Sequence, residues 1–371
     1  MHYKKHLFGI LIIFSAIFIS CGDDESNMEI TSDSFDRKEM LQGWADQIII
    51  PAFQVHVNSL ADLQDKKNTF NNDPSIDNLQ ILRTSYLDAY RSWQKIAFFD
   101  IGKAEEIGLR NFSNIYPTDG DLILDHIETQ TYNLELPSNF DAQGFPALDF
   151  LLFGTGDSDE AIVIFLKEEN AQLYLDDLIE RIYGLTNQVL QDWNYSYREI
   201  FISNDGASAT ASVDKLVNDY LFYFEKFLRA GKIGIPAGIF SGNPLPDAIE
   251  APYSKIYSKD LFLTAFTSIQ DFFSGKSFDG NSQINSLEAY VDHINQKNKI
   301  EEDLSAEIIN QWSLAEEKIM ALPSNFKEQI IEDNSKILKA YDEIQKSVIL
   351  LKVDMMQALN IQVDYVDADG D

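Results

Sequence analysis

The sequence predicts an all-α protein of two helical bundles packed side by side, and three observations predict it. Large apolar side chains recur at steps of three and four in segment after segment, which puts each set on one face of a helix. Strand signals are few: "IIIP" near residue 48 and "AIVIF" from residue 161 are short apolar runs that fit a strand or a buried helix segment equally well. A polar, small-residue stretch, "SNDGASATAS" at residues 203–212, interrupts the helical pattern near mid-chain and is read as the seam between bundles, although one turn between long helices of a single domain would also suit it.

Taken in order, the chain opens with Lys4 and Lys5, continues with the apolar run "LFGILIIFSAIFIS", and reaches Cys21 directly after the small Ser20. The run is short for a membrane span and of the right length for a secretory signal, so residues 1–20 read as a signal peptide. The arrangement resembles a bacterial lipoprotein signal, in which Cys21 becomes the lipidated first residue; Phe18 stands where leucine is usual. An uncleaved signal anchor with an incidental cysteine is the alternative. Residues 21–38 are polar and acidic without helical period and read as a tether, and their acidic start resembles the surface-export signal of Bacteroidetes lipoproteins. Cys21 is the only cysteine, which excludes disulfides and cysteine-built metal sites within one chain.

The first bundle is assigned to residues 39–205. Tyr86, Tyr90, Trp93 and Ala97 mark one helix face, and Tyr174, Leu178, Ile182, Leu185, Val189 and Trp193 another. The second bundle is assigned to 206–362, with Val213, Leu216, Tyr220, Phe224 and Phe227, then Leu304, Ile308, Trp312 and Ile319, then Ile337, Tyr341, Ile344, Val348, Leu351 and Met355. Within it, residues 229–254 hold four of the eighteen glycines and four of the ten prolines, so they read as a long non-helical loop of the kind that often carries function. An elaborate connection without function is the plainer reading. Residues 363–371 read as an acidic tail.

Charge narrows the function classes. With 29 Lys and Arg against 60 Asp and Glu, the formal net charge is -31, and such a surface repels phosphate backbones, which argues against nucleic-acid binding. The chain has no His-Glu-x-x-His, no nucleophile elbow and no phosphate loop, and its histidines beyond the signal region, His56, His126 and His293, are far apart in sequence. Asp119, Asp121, Asp125 and Glu128 cluster in "TDGDLILDHIE" without calcium-loop spacing and read as a solvated helix face.

The most informative segment is "GFPALDFLLFG", residues 144–154, an apolar run with one carboxylate. Pro146 suits the first turn of a helix, where its missing N–H costs nothing, and Gly154 and Gly156 can end it. Asp149 then lies in or beside the first turn of a buried helix and needs donors or a cation. An Arg or Lys beside it would keep it ionised, and Arg110, Arg229 and Lys232, with Glu250 and Ser254 from the proline-rich loop, are the candidates to share its groove.

This segment resembles the signature of the imelysin-like proteins, whose usual form is Gly-x-His-x-x-Glu followed by an apolar run and a glycine. "YRSWQKIAFF" with "GLRNFSNIYPTD" and "KIGIPAGIFSGNPLPDAIEAPYS" resemble further parts of that family, and the matches span residues 40 to 360. The resemblance implies two related four-helix bundles with the motif, here Gly144, Pro146 and Asp149, near the groove between them, in a periplasmic or lipoprotein component linked to bacterial iron uptake. The family also carries a peptidase label. At its His position stands Pro146, and at its Glu position Asp149, so the imidazole expected of a metal or hydrolytic centre is missing.

The function expected is therefore a non-enzymatic outer-membrane lipoprotein, periplasmic or surface-exposed, anchored through Cys21 and binding a ligand of iron uptake in the groove, with iron-uptake components as its protein partners. An all-oxygen site for iron or another hard cation, with Asp149 its best ligand, stays open. The competing expectations are a metal-dependent peptidase with altered ligands and a surface protein-interaction module.

Overall fold

The structure, a computed structural model, describes residues 34–365. Cys21 and the signal and lipid-anchor readings lie outside these residues, as does the end of the acidic tail. Among the described residues the chain is all-α, with no strand and only one isolated bridge, Lys276 to Gln283. Both short apolar runs that fitted strands are helical.

Among the described residues thirteen helices follow one another, several of them interrupted by a π-helical turn that widens the coil without ending it. Helix α1 runs over residues 37–72, starting two residues inside the stretch read as tether. It is followed by α2 (Ile76–Gln94), α3 (Lys103–Ile107), α4 (Leu109–Ser113) and α5 (Gly120–Thr129). Then come α6 (residues 144–154), α7 (Asp159–Leu166) and α8 (residues 169–203). The later half holds α9 (residues 212–237), α10 (Ser258–Ser274), α11 (Leu287–Asn298), α12 (Leu304–Met320) and α13 (residues 326–358). The stretch "SNDGASATAS" falls at the break between α8 and α9.

Local chemistry sets the helix starts. Ser75, Asp119, Ser158, Ser286, Asp303 and Asn325 each accept the backbone N–H three residues on, which satisfies one of the four donors a helix N-terminus leaves unpaired. One prediction fails at the other end of a helix. The segment 229–254 is not loop throughout: α9 continues to Ala237 and stops where Gly238 turns left-handed at φ 82°. Pro236 sits in the last stretch of that helix.

Each half has an aromatic centre. In the first, Phe145 packs among Tyr90, Trp93, Tyr86 and His56. In the second, Trp312 meets Phe224, Phe266 and Phe273. Between them Phe98, Phe99, Trp44, Tyr220 and Phe272 join the two into one continuous core. The described chain from Phe35 onward accordingly forms one compact unit. Its last residues are held as well. Asn218 bonds the backbone of Gln362 and Asp364, and Tyr365 donates to Glu225, so residues 363–365 lie against α9 and are not free tail. No helix among the described residues is long and apolar enough to cross a membrane.

Candidate functional site

Helix α6 is placed by its first residue. Gly144 has φ 76°, and a Cβ there would lie 2.3 Å from the Ser113 carbonyl oxygen, so only glycine lets α6 seat directly on the end of α4. Pro146 falls in the first turn, where an N–H would have had no helical partner. The Phe145 ring stacks on Tyr90 with centroids 4.6 Å apart, and the side chains from Gly144 to Leu152 are all buried. Arg83 closes the far end, donating to the Leu152 carbonyl at 2.9 Å and pairing with Asp159 at 2.7 Å.

Asp149, fully buried just beyond the first turn of α6, which begins two residues before Pro146, faces the loop before α10. Its Oδ2 accepts the Tyr253 N–H at 2.8 Å and its Oδ1 the Ser254 N–H at 3.2 Å. Burial pushes its carboxyl up to about 7; the two loop N–H groups pull it back and the nearby Glu250 charge pushes it further. The expected Arg or Lys partner is replaced by main chain. The loop can offer paired N–H groups because it bends sharply, with Ala251 and Lys255 at φ 56° and 66°. Of the candidate groove residues, Ser254 therefore meets Asp149 through its backbone.

Glu250 and Lys232 come together elsewhere in the same seam, as a fully buried ion pair. Glu250 Oε1 also accepts from Tyr90 Oη at 3.1 Å, Gln94 Nε2 at 3.0 Å and Asn114 Nδ2 at 2.9 Å, while Lys232 Nζ gives a second bond to Gln94 Oε1 at 2.8 Å. Burial pushes the Lys232 ammonium down and the Glu250 charge opposes it. The hub joins α2 to α9 and to the loop. Sequence reading missed Gln94, Asn114 and the hydroxyl role of Tyr90; the i, i+4 spacing of Tyr90 and Gln94 on one face of α2 was the available signal.

The two arginines are apart from Asp149. Arg110 directs Nη2 at both oxygens of Asp219, at 2.8 and 2.9 Å, lies 3.7 Å from Asp100 through Nη1, and donates from Nε to the Ala97 carbonyl. Asp219 is pushed up to about 6 by burial, against the pull of Arg110. Arg229 reaches Glu225 at 3.6 Å, Tyr341 at 2.9 Å and Gln345. Both serve as buried structural cations, and Asp219 was not foreseen.

An open cleft of about 670 Å³ lies beside the Asp149 junction, lined by Tyr253, Phe150 and Gly154 together with Asp119, Asp121 and Asp141. Phe150 and Tyr253 meet edge to face at 5.1 Å, so the loop fastened by Asp149 forms part of the cleft wall. Asp121, Asp125 and Glu128 lie exposed on α5, as read, and Asp119 caps it. The histidines occupy separate places: His56 bonds Ser92 at 2.7 Å and is pushed down to about 3 by burial, His126 meets Tyr174 at 3.1 Å, and His293 lies against Phe35. Among the described residues no group of three or more His, Cys, Asp or Glu is placed to hold a metal ion. Pro146 offers no donor where the resembling motif has histidine, and Asp149 stands in that place as a single carboxylate holding two loop N–H groups.

A family model described as Imelysin, under a peptidase label, matches residues 49–351. The chain belongs to the imelysin family. Two solved structures share its fold. One is described as a candidate iron-regulated protein A precursor from Parabacteroides distasonis ATCC 8503, with TM-score 0.69 and 18% identity over 86% of this chain and 95% of that one. The other is an imelysin-like protein from Psychrobacter arcticum 273-4, with TM-score 0.59 and 17% identity over 89% of this chain and 97% of that one. No curated protein matches the sequence. At these identities the structures bear on the fold of this imelysin-family protein and leave its site to its own geometry.

Proposed function

We propose that this imelysin-family protein is an extracytoplasmic, lipid-anchored binding component linked to bacterial iron uptake, and that its ligand is taken in the open cleft beside Asp149. The iron connection draws on the description of the Parabacteroides distasonis relative, and the anchor on Cys21 with the apolar run before it. The observation that favours binding over bond cleavage is the engagement of both Asp149 oxygens by the Tyr253 and Ser254 N–H groups. A fully buried carboxylate that fastens its own loop through both oxygens positions that loop and is closed to the water a general base must activate. The cleft it shapes is of small-molecule size, and Asp119, Asp121 and Asp141 give it a negative lining suited to a cationic or cation-bearing ligand.

Equilibrium titration of the full chain with ferric ion, haem and simple iron chelates tests the reading. Saturable binding of at least one, weakened by Asp121→Asn with Asp141→Asn, is expected; no measurable affinity for any of them removes the iron part. The family's peptidase label sets the opposing result. Chelator-sensitive cleavage of an unfolded protein substrate, abolished by Asp149→Asn, overturns the binding reading.

A further inference from the structure

A second pocket, of about 490 Å³, opens where the end of α2 meets α10 under the turn that follows α10. Half-buried Leu263 and Phe278 give it an apolar wall, over a floor of buried Ile48, Phe98 and Phe272. Its four charged lining residues are unequal. Lys276 pairs with Asp271 at 3.3 Å, and Asp279 is used by its own turn, accepting from Ser277 Oγ at 2.7 Å and from the Asn281 N–H at 3.0 Å. Lys95, exposed just after α2, has no carboxylate partner among the described residues; its ammonium lies 5.3 Å from the centre of the Phe278 ring. In a chain of net charge -31, the charge left uncommitted in this pocket is thus a cation.

The pocket is preformed. Phe278 N–H donates to the Gln47 carbonyl at 2.8 Å and Ser282 Oγ to Gln47 Oε1 at 3.0 Å, which fasten the roofing turn to α1. Inside the turn, Ser277 N–H bonds the Ser282 carbonyl at 3.0 Å and Ile284 N–H the Gly275 carbonyl at 2.9 Å. A ligand entering therefore orders little further chain, and the volume lies within the usual range for small-molecule sites.

We propose that this pocket is a binding site, separate from the cleft beside Asp149, for a small amphiphilic carboxylate whose apolar body packs against Leu263 and Phe278 and whose anion pairs with Lys95. An aromatic or branched aliphatic acid has both features: the Phe278 ring and Leu263 take its body, and the ammonium over Phe278 exchanges a cation–π contact for a charge pair at the pocket mouth. A neutral analogue keeps only the first contribution.

Calorimetric titration of the full chain with biphenyl-4-carboxylate and with biphenyl-4-carboxamide separates the two contributions. The carboxylate is expected to bind at one site, roughly tenfold tighter than the amide. Lys95→Gln, at an exposed side chain, should abolish that preference, and Thr267→Trp, which fills the pocket from α10, should weaken both ligands by about tenfold or more. Asp149→Asn should change neither, which keeps this result independent of the cleft. The proposal is overturned by absence of saturable carboxylate binding, by equal affinity for the two probes, or by a carboxylate preference that survives Lys95→Gln. Because Lys95→Gln alone decides the charge pairing, a misfolded Thr267→Trp variant would not protect the idea.

Discussion

Asp149 shows how much a single residue's meaning depends on what faces it. Its carboxyl titrates near 7 in the folded chain against 3.8 in an ordinary setting, so the folded state holds the proton more tightly than the unfolded one. The stability this group confers is complete below about pH 4 and is lost as pH rises through about 7, a difference on the order of 4 kcal/mol. Thermal unfolding between pH 4 and 8 should therefore show a fall in Tm that Asp149→Asn reduces; equal slopes in the two proteins would contradict it. A residual slope should persist in the variant, because Asp219 and Asp214 are each pushed up to about 6, mainly by burial. The sequence made the isolation of this acid in an apolar run legible, and with it the need for partners. It did not make the partners legible, since backbone N–H groups have no residue type to mark them. Arg110 poses the reverse case: its side chain is conspicuous in sequence but its acid, Asp219, lies 109 residues away. Arg110→Met should lower stability by about 3–5 kcal/mol in urea unfolding, because it leaves Asp219 and Asp100 in the seam without their cation.

At the scale of elements, periodicity carried most of the fold, since a face of large apolar residues at steps of three and four has few ways to be buried except against another helix. The failure at 229–237 has a physical cause. Glycine and proline were read as helix breakers, whereas α9 uses its glycines for close approach: a Cβ on Gly234 would lie 2.7 Å from the Tyr341 ring, and one on Gly231 3.1 Å from Tyr116 Oη. The π-helical geometry of Tyr223–Gly234 extends the same helix across them. This distinction between propensity and packing is measurable. Gly234→Ala gains roughly 1 kcal/mol of helix propensity but must displace a buried ring, and should destabilise by about 1–3 kcal/mol. Gly184→Ala on α8 meets nothing within 4 Å and should stabilise by about 0.5–1 kcal/mol. Chemical denaturation of both variants reads the two signs, and a shared sign would show that propensity alone governs these positions.

Across the whole molecule, the two halves are joined by aromatic rings and by the Glu250 hub, so neither half has an interior of its own that closes without the other. Sequence suggested a soft boundary at residues 203–212, and that stretch does interrupt the helices, but the residues that unite the halves lie far from it in Tyr90, Gln94, Lys232 and Glu250. The hub is asymmetric in a way that predicts which partner matters more. Without Lys232, the Glu250 carboxylate keeps the amide donors of Gln94 and Asn114, with the Tyr90 hydroxyl shared between it and Asn114 Oδ1. Without the Glu250 charge, the Lys232 ammonium keeps a single amide oxygen, that of Gln94. Glu250→Gln should therefore cost about 3–5 kcal/mol and Lys232→Met less, about 1–3 kcal/mol. Urea unfolding followed by far-ultraviolet circular dichroism and by tryptophan fluorescence measures both, since Trp44, Trp93 and Trp193 report from the first half and Trp312 from the second. The two signals should coincide in the unsubstituted chain, as expected for one cooperative unit. Glu250→Gln should shift both together, because the hub acts on the seam that each half needs in order to fold; a transition that splits, with the Trp312 side unfolding alone, would mean that the second half has a core sufficient for itself.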